Sequence, residues 1–113
     1  MTDPPGLLRR ARAMSETELQ EDIRVLCKHH GLAVQHLTDP RRAWLSGWPD
    51  LVIIGTAVLF VELKKEGEGL SPDQRDVRHR LIAAGQQFRL WQPKDLLRGT
   101  IHAELQAISR VTL

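Results

Sequence analysis

Apolar positions along the chain change period several times, and each change marks an element. Leu19, Ile23, Leu26 and His30 recur at helical spacing. Ser15 stands at the cap of that helix with Glu18 three residues on, the capping-box spacing, and Gly31 closes it. Leu32 to Gln35 reads as a short strand. The stretch from Leu37 to Pro49 holds the turn formers Thr38, Asp39, Pro40, Ser46 and Gly47 and reads as a loop. Two apolar runs follow, Leu51 to Ile54 and Ala57 to Leu63, parted by Gly55-Thr56. They predict a hairpin, and their near-continuous apolar character predicts cover on both faces. Ser71-Pro72-Asp73 opens a second helix: a cap, a proline at the first helical position, then an acid. That helix runs to about Ala84. Gln87 to Trp91 reads as a fourth strand, and Pro93 opens a final helical region broken near Gly99. Met1 to Met14, with Pro4, Pro5 and Gly6 before its arginines, reads as a flexible basic lead-in, and residues 15–113 as one domain. The predicted order is α-β-β-β-α-β-α, an α/β fold with a mixed central sheet flanked by helices.

Composition narrows the class without fixing it. A chain of 113 residues is one domain, large enough to bury a core without staples. The formal charge is only +2, but the cations are clumped at Arg9, Arg10 and Arg12, at Arg41 and Arg42, at Lys64 and Lys65, and at Arg75, Arg78 and Arg80. Clumping suits phosphate binding, although solvated faces also produce it. Cys27 is the single cysteine, which excludes an internal disulfide and a thiolate zinc cluster. No apolar run approaches the length of a membrane span, and the N-terminus lacks the apolar stretch of a secretory signal. The expected compartment is cytoplasmic.

Chemistry enters at Asp50, a carboxylate set directly against the apolar run Leu51 to Ile54. A hairpin turning at Gly55-Thr56 brings the start of its first strand beside the end of its second, so Asp50 and Glu62 become neighbours. Glu62 and Lys64 are two apart and share a face. Two close carboxylates in a partly covered cleft raise one another's pKa, and a divalent cation removes that conflict. Hard oxygen ligands suit Mg²⁺, with Mn²⁺ as a substitute. An ammonium at Lys64 would then stabilise charge developing on a phosphate. The set predicts a phosphodiester-cutting site. The bland alternative, an exposed strand end, is common for an acid and a lysine at this spacing.

Pro49-Asp50, followed after eleven residues by Glu62-Leu63-Lys64, resembles the PD-(D/E)xK nuclease signature. More narrowly, the segments ETELQEDIRVLCKHHG, DPRRAWLSGWPDLVI, FVELKKE and LSPDQRDVRHRLIAAG, in that order, resemble the small stand-alone VRR-NUC nucleases of phages and bacteria. The resemblance covers about Glu16 to Leu97. It implies a restriction-endonuclease-like core and a metal-dependent endonuclease, in some members cutting Holliday junctions or other branched DNA. It maps the metal-site aspartate to Asp50, the glutamate to Glu62 and the lysine to Lys64. It also implies a metal-site acid on the first helix, for which Glu18 is the best fit and Glu21 the rival. Capping is an equal reading of Glu18. A glutamine after the lysine maps to Gln74, which shares a helical face with Val77 and Leu81 and so points inward.

Arg41, Arg42, Lys65 and Arg75 are candidate DNA contacts, with a solvated loop as the even alternative for the arginine pair. Trp44 and Trp48 either wedge against an unpaired base or junction arm, or pack over the site or in a dimer contact. The expected function is therefore a Mg²⁺-dependent endonuclease acting on branched DNA. The alternatives are a non-catalytic DNA-binding module on the same fold, or a nuclease of flaps, nicked or linear duplex DNA. A homodimer is expected, because a junction must be cut on two strands. Its apolar seam would draw on Trp44, Trp48, Leu96, Leu97, Ile101, Leu105 and Ile108.

Overall fold

The hairpin register controls the whole molecule. In the computed structural model, which describes residues 3–37 and 39–109, strand β2 (Leu51–Ile54) runs antiparallel to β3 (Val58–Leu63), with Leu51 opposite Val61 and Ile54 opposite Val58. Strand β1 (Ala33–His36) pairs antiparallel on the other side of β2, and β4 (Gln87–Trp91) pairs parallel to β3. The sheet is therefore mixed, in the order β1-β2-β3-β4. The parallel pair needs a crossover, and helix α3 (Pro72–Ala83) supplies it.

Alternation along β3 separates the two faces. Leu59, Val61 and Leu63 point one way and join Leu51, Ile53 and Trp91 in the core. Helix α2 (Glu16–His29) covers that face with Leu19, Ile23 and Cys27, and helix α5 (Thr100–Ile108) covers it with Ile101, Leu105 and Ile108. The opposite face carries Phe60 and Glu62 and meets α3, whose buried residue is Val77. This second face is less covered than the apolar runs predict: Val52, Val58 and Phe60 are half-buried and Ile54 is exposed.

Two further expectations change. The lead-in holds a helix, α1 (Leu7–Ala13), because Leu7 and Ala11, one turn apart, are buried where α1 meets α4 (Pro93–Leu97). Met1 and Thr2 lie outside the described residues, as do Thr38 and residues 110–113. The residues Ile101, Leu105 and Ile108 are not a spare apolar surface. They complete the chain's own core, with Leu96 packed against them. Among the described residues, no helix is long and apolar enough to cross a membrane.

Candidate active site

Leu51 faces Val61, so the next pair in register is Asp50 and Glu62. Asp50 is half-buried, and its carboxylate accepts the Leu63 N–H at 2.9 Å, which ties the start of β2 to the end of β3. Glu62 is only 3% exposed, on a face where the strand parity places Phe60. Its Oε1 accepts from Gln74 Nε2 at 3.1 Å, while its Oε2 is buried with no hydrogen-bond partner. Burial first, and the Asp50 charge second, push the Glu62 carboxyl up to about 9. Lys64 acts against this rise. It lies one residue past β3, where its backbone N–H still donates to the Trp91 carbonyl and prolongs the ladder with β4.

Gln74 is oriented by its own helix cap. Its Oε1 accepts the Ser71 N–H at 2.8 Å, while its backbone N–H donates to Ser71 Oγ. With the oxygen committed to an N–H that can only donate, the amide nitrogen must face Glu62. The loop before Asp50 is fastened to the same helix start. Ser46 Oγ donates to Asp73 Oδ2 at 2.7 Å. Gly47 sits at φ 88°, so close that an added Cβ would stand 2.5 Å from the Asp73 carbonyl carbon and oxygen. A pocket of about 140 Å³ results, and Asp50, Glu62, Gln74, Ser46, Gly47 and Trp48 are among its walls.

Both acids that the resemblance offers on this helix have other partners. Glu18 accepts the Ser15 N–H at 3.3 Å, closing the capping box of α2. Glu21 is bound by Arg24 at 2.6 Å. The acid brought to the hairpin is Glu16, whose carboxyl is raised by burial and by the Asp50 charge. It precedes the residue that fits the local pattern, and the signal that points to it is the capping box, which occupies Glu18.

A cation fits the chemistry of this set. A buried carboxylate oxygen without a donor is costly, and neither ionised Asp50 nor ionised Glu62 has a proton to give. A shared proton or a cation is the means of filling the gap. Among the described residues no three His, Cys, Asp or Glu side chains converge tightly enough to hold a metal by themselves. The pair Asp50 and Glu62, with Glu16 nearby, suits a small hard cation that keeps several waters.

The predicted DNA contacts are dispersed. Arg41 and Arg42 are 89% and 86% exposed, and both lie against Asp39, Arg41 at 3.0 Å and Arg42 at 3.8 Å. Lys65 is exposed near Glu16, and Arg75 donates to the Leu70 carbonyl at 3.0 Å. The two loop tryptophans separate: Trp48 meets Phe60 edge to face at 5.7 Å, whereas Trp44 is fully exposed.

The VRR-NUC domain profile matches residues 7–94. The chain is also similar to a solved structure of a VRR_NUC domain, with a TM-score of 0.64 and 26% identity, covering 77% of this chain and 94% of that one. A search among curated proteins found no match.

Proposed function

The chain belongs to the VRR-NUC domain family, and from that premise we propose that it is a divalent-cation-dependent DNA endonuclease acting on branched DNA. The family points to nuclease-type processing of DNA. The observation that carries the cation-dependent reading is the orphaned Oε2 of Glu62, buried across the register from the half-buried Asp50.

Each residue has a role that its surroundings support. The Leu63 N–H orients Asp50, and Gln74 orients Glu62. Glu16 adds negative charge from the start of α2. Asp50 and Glu62 would hold Mg²⁺ or Mn²⁺ together with waters, with Glu16 nearby in support. Bound there, the cation would supply positive charge to the phosphate and activate the attacking water. Lys64, whose charge already offsets Glu62 and Glu16, would face the negative charge that grows on the phosphate as the bond breaks. Cutting both strands of a junction calls for two copies of this one site, related by a two-fold axis.

The test is cleavage of junction, flap, splayed and duplex DNA with Mg²⁺ or Mn²⁺. Asp50→Asn and Glu62→Gln should each abolish cutting while leaving the fold intact. Lys64→Ala should lower the rate about 10²- to 10³-fold, as loss of a preorganised donor does. Glu16→Gln should reduce cutting, whereas Glu18→Gln, which keeps an acceptor for the Ser15 N–H, should not. DNA binding without cutting by the wild-type protein would favour a non-catalytic module instead.

A further inference from the structure

The three tryptophans of the chain have different surroundings. Trp91 is buried, and its Nε1–H donates to Glu104 at 2.9 Å. Trp48 packs on Phe60. Trp44 leaves its whole indole in water, with the exposed Leu45 beside it. An aromatic ring of this size gains much from being covered, so a fully exposed one beside a reactive pocket is a candidate contact.

Its position limits what can cover it. Trp44 borders a hollow of about 280 Å³ lined by Leu37, Ala43, Trp44, Leu45 and Trp48. Leu37, Ala43 and Trp48 also line the carboxylate pocket. The two hollows share a wall, so whatever rests on Trp44 lies beside Asp50 and Glu62. Arg41 and Arg42 stand three and two residues before Trp44 in the chain and are almost fully exposed. With Asp39 between them they leave a local charge of +1.

We propose that Trp44 is a stacking platform for an unpaired DNA base next to the scissile phosphate, so that the site takes DNA whose strands are separated at the cut. The inference rests on the nuclease reading and adds the substrate feature that the site selects. A nucleic acid matches both halves of the surface: phosphates for the arginines, and a flat apolar base face for the indole. A paired duplex hides its base faces in the stack, so only an unpaired or splayed base can present one. A second copy of the chain matches less well. A symmetric contact over Trp44 would cover the shared wall and bar a phosphodiester from the carboxylates.

The probes are two DNAs of equal length, one fully paired and one with a short unpaired stretch carrying 2-aminopurine. Binding is measured with Ca²⁺, a hard cation that takes oxygen ligands, and cleavage with Mg²⁺. The wild-type protein should bind the unpaired DNA more tightly and quench its 2-aminopurine. Trp44→Ala should lose roughly tenfold or more of that affinity, the usual effect of removing one base–aromatic stack. It should lose the quench, and it should leave affinity for the paired duplex within about twofold, the proposal giving Trp44 no contact there. Trp44→Phe should retain most of the preference. The proposal is overturned if Trp44→Ala binds both DNAs as the wild type does, or weakens on both alike. It is also overturned if the substitution dissociates a dimer in sedimentation while DNA preference stays unchanged. Failure of the wild type to cut any of these DNAs with Mg²⁺ or Mn²⁺ would count against the nuclease reading itself. Cutting with an unaltered preference in Trp44→Ala would remove the stacking proposal alone.

Discussion

Glu62 concentrates the site's conflict into one side chain. It is buried beside another acid, one of its oxygens is held by Gln74, and the other has no donor. Its pH signature follows in sign. Folding raises its carboxyl from about 4.5 to about 9, so the folded state holds a proton that the unfolded chain releases. Stability from this source is fully present below about pH 4.5 and is lost as pH rises through about 9. In chelator, Glu62→Gln should therefore gain stability relative to wild type as pH rises across that window, with a limiting slope of about 1.4 kcal/mol per pH unit. Thermal melts of both proteins over pH 5 to 9 read this directly; parallel curves would contradict it. That Asp50 and Glu62 meet was readable in advance because a hairpin has period two and a fixed reversal. That Glu16 lies toward them was not. At about 100° per residue, Glu16 and Glu18, two residues apart on one helix turn, point about 160° apart. The local pattern favoured the one that the cap had already taken.

At the scale of elements, the site depends on where three segments are fastened together. The loop Ser46–Gly47 is pressed onto the start of α3, and that start holds Gln74 against Glu62. The cap of α3 was legible as Ser71-Pro72-Asp73, and so was the inward face of Gln74. The fastening was not, because Gly47 reads in sequence only as a turn former. Its positive φ and the missing space above it come from a contact with residues far along the chain. Gly47→Ala should cost about 1–3 kcal/mol from backbone strain alone, and the clash with Asp73 adds to that. It should also reduce cleavage by displacing Gln74, even though residue 47 offers no group to the chemistry. A melt and a rate measured on the same sample test the two effects together; a variant as stable and as active as wild type would deny the fastening. Helix α1 escaped the sequence for a similar reason. Its pattern is only Leu7 and Ala11, and the docking onto α4 that buries them has no local signature. The β2–β3 hairpin misled in the other direction. A continuous apolar run suggests two covered faces, but α3 buries only Val77 on its side and leaves Ile54 exposed.

For the whole molecule, a net charge of +2 is too small to draw DNA by itself, so placement must do so. The arginines of the loop before Asp50 are the cations nearest to it in sequence, but the two are not equivalent. Arg41 gives Nε–H and Nη2–H to both oxygens of Asp39, at 3.0 and 3.2 Å, and its charge is already matched. Arg42 touches Asp39 only at 3.8 Å and is free to turn toward a phosphate. Each phosphate neutralised contributes close to 0.9 to the slope of log affinity against log salt. Arg42→Ala should then flatten that slope by about that amount, while Arg41→Ala should change it less. Anisotropy titrations of a labelled junction from low to moderate salt give both slopes. Equal changes for the two variants would mean that Asp39 lets go of Arg41 when DNA arrives, and no change in either would leave both arginines to the solvent. The ordered outcome, Arg42 above Arg41, follows from the fork geometry of one guanidinium and the looseness of the other, and net charge alone does not supply it.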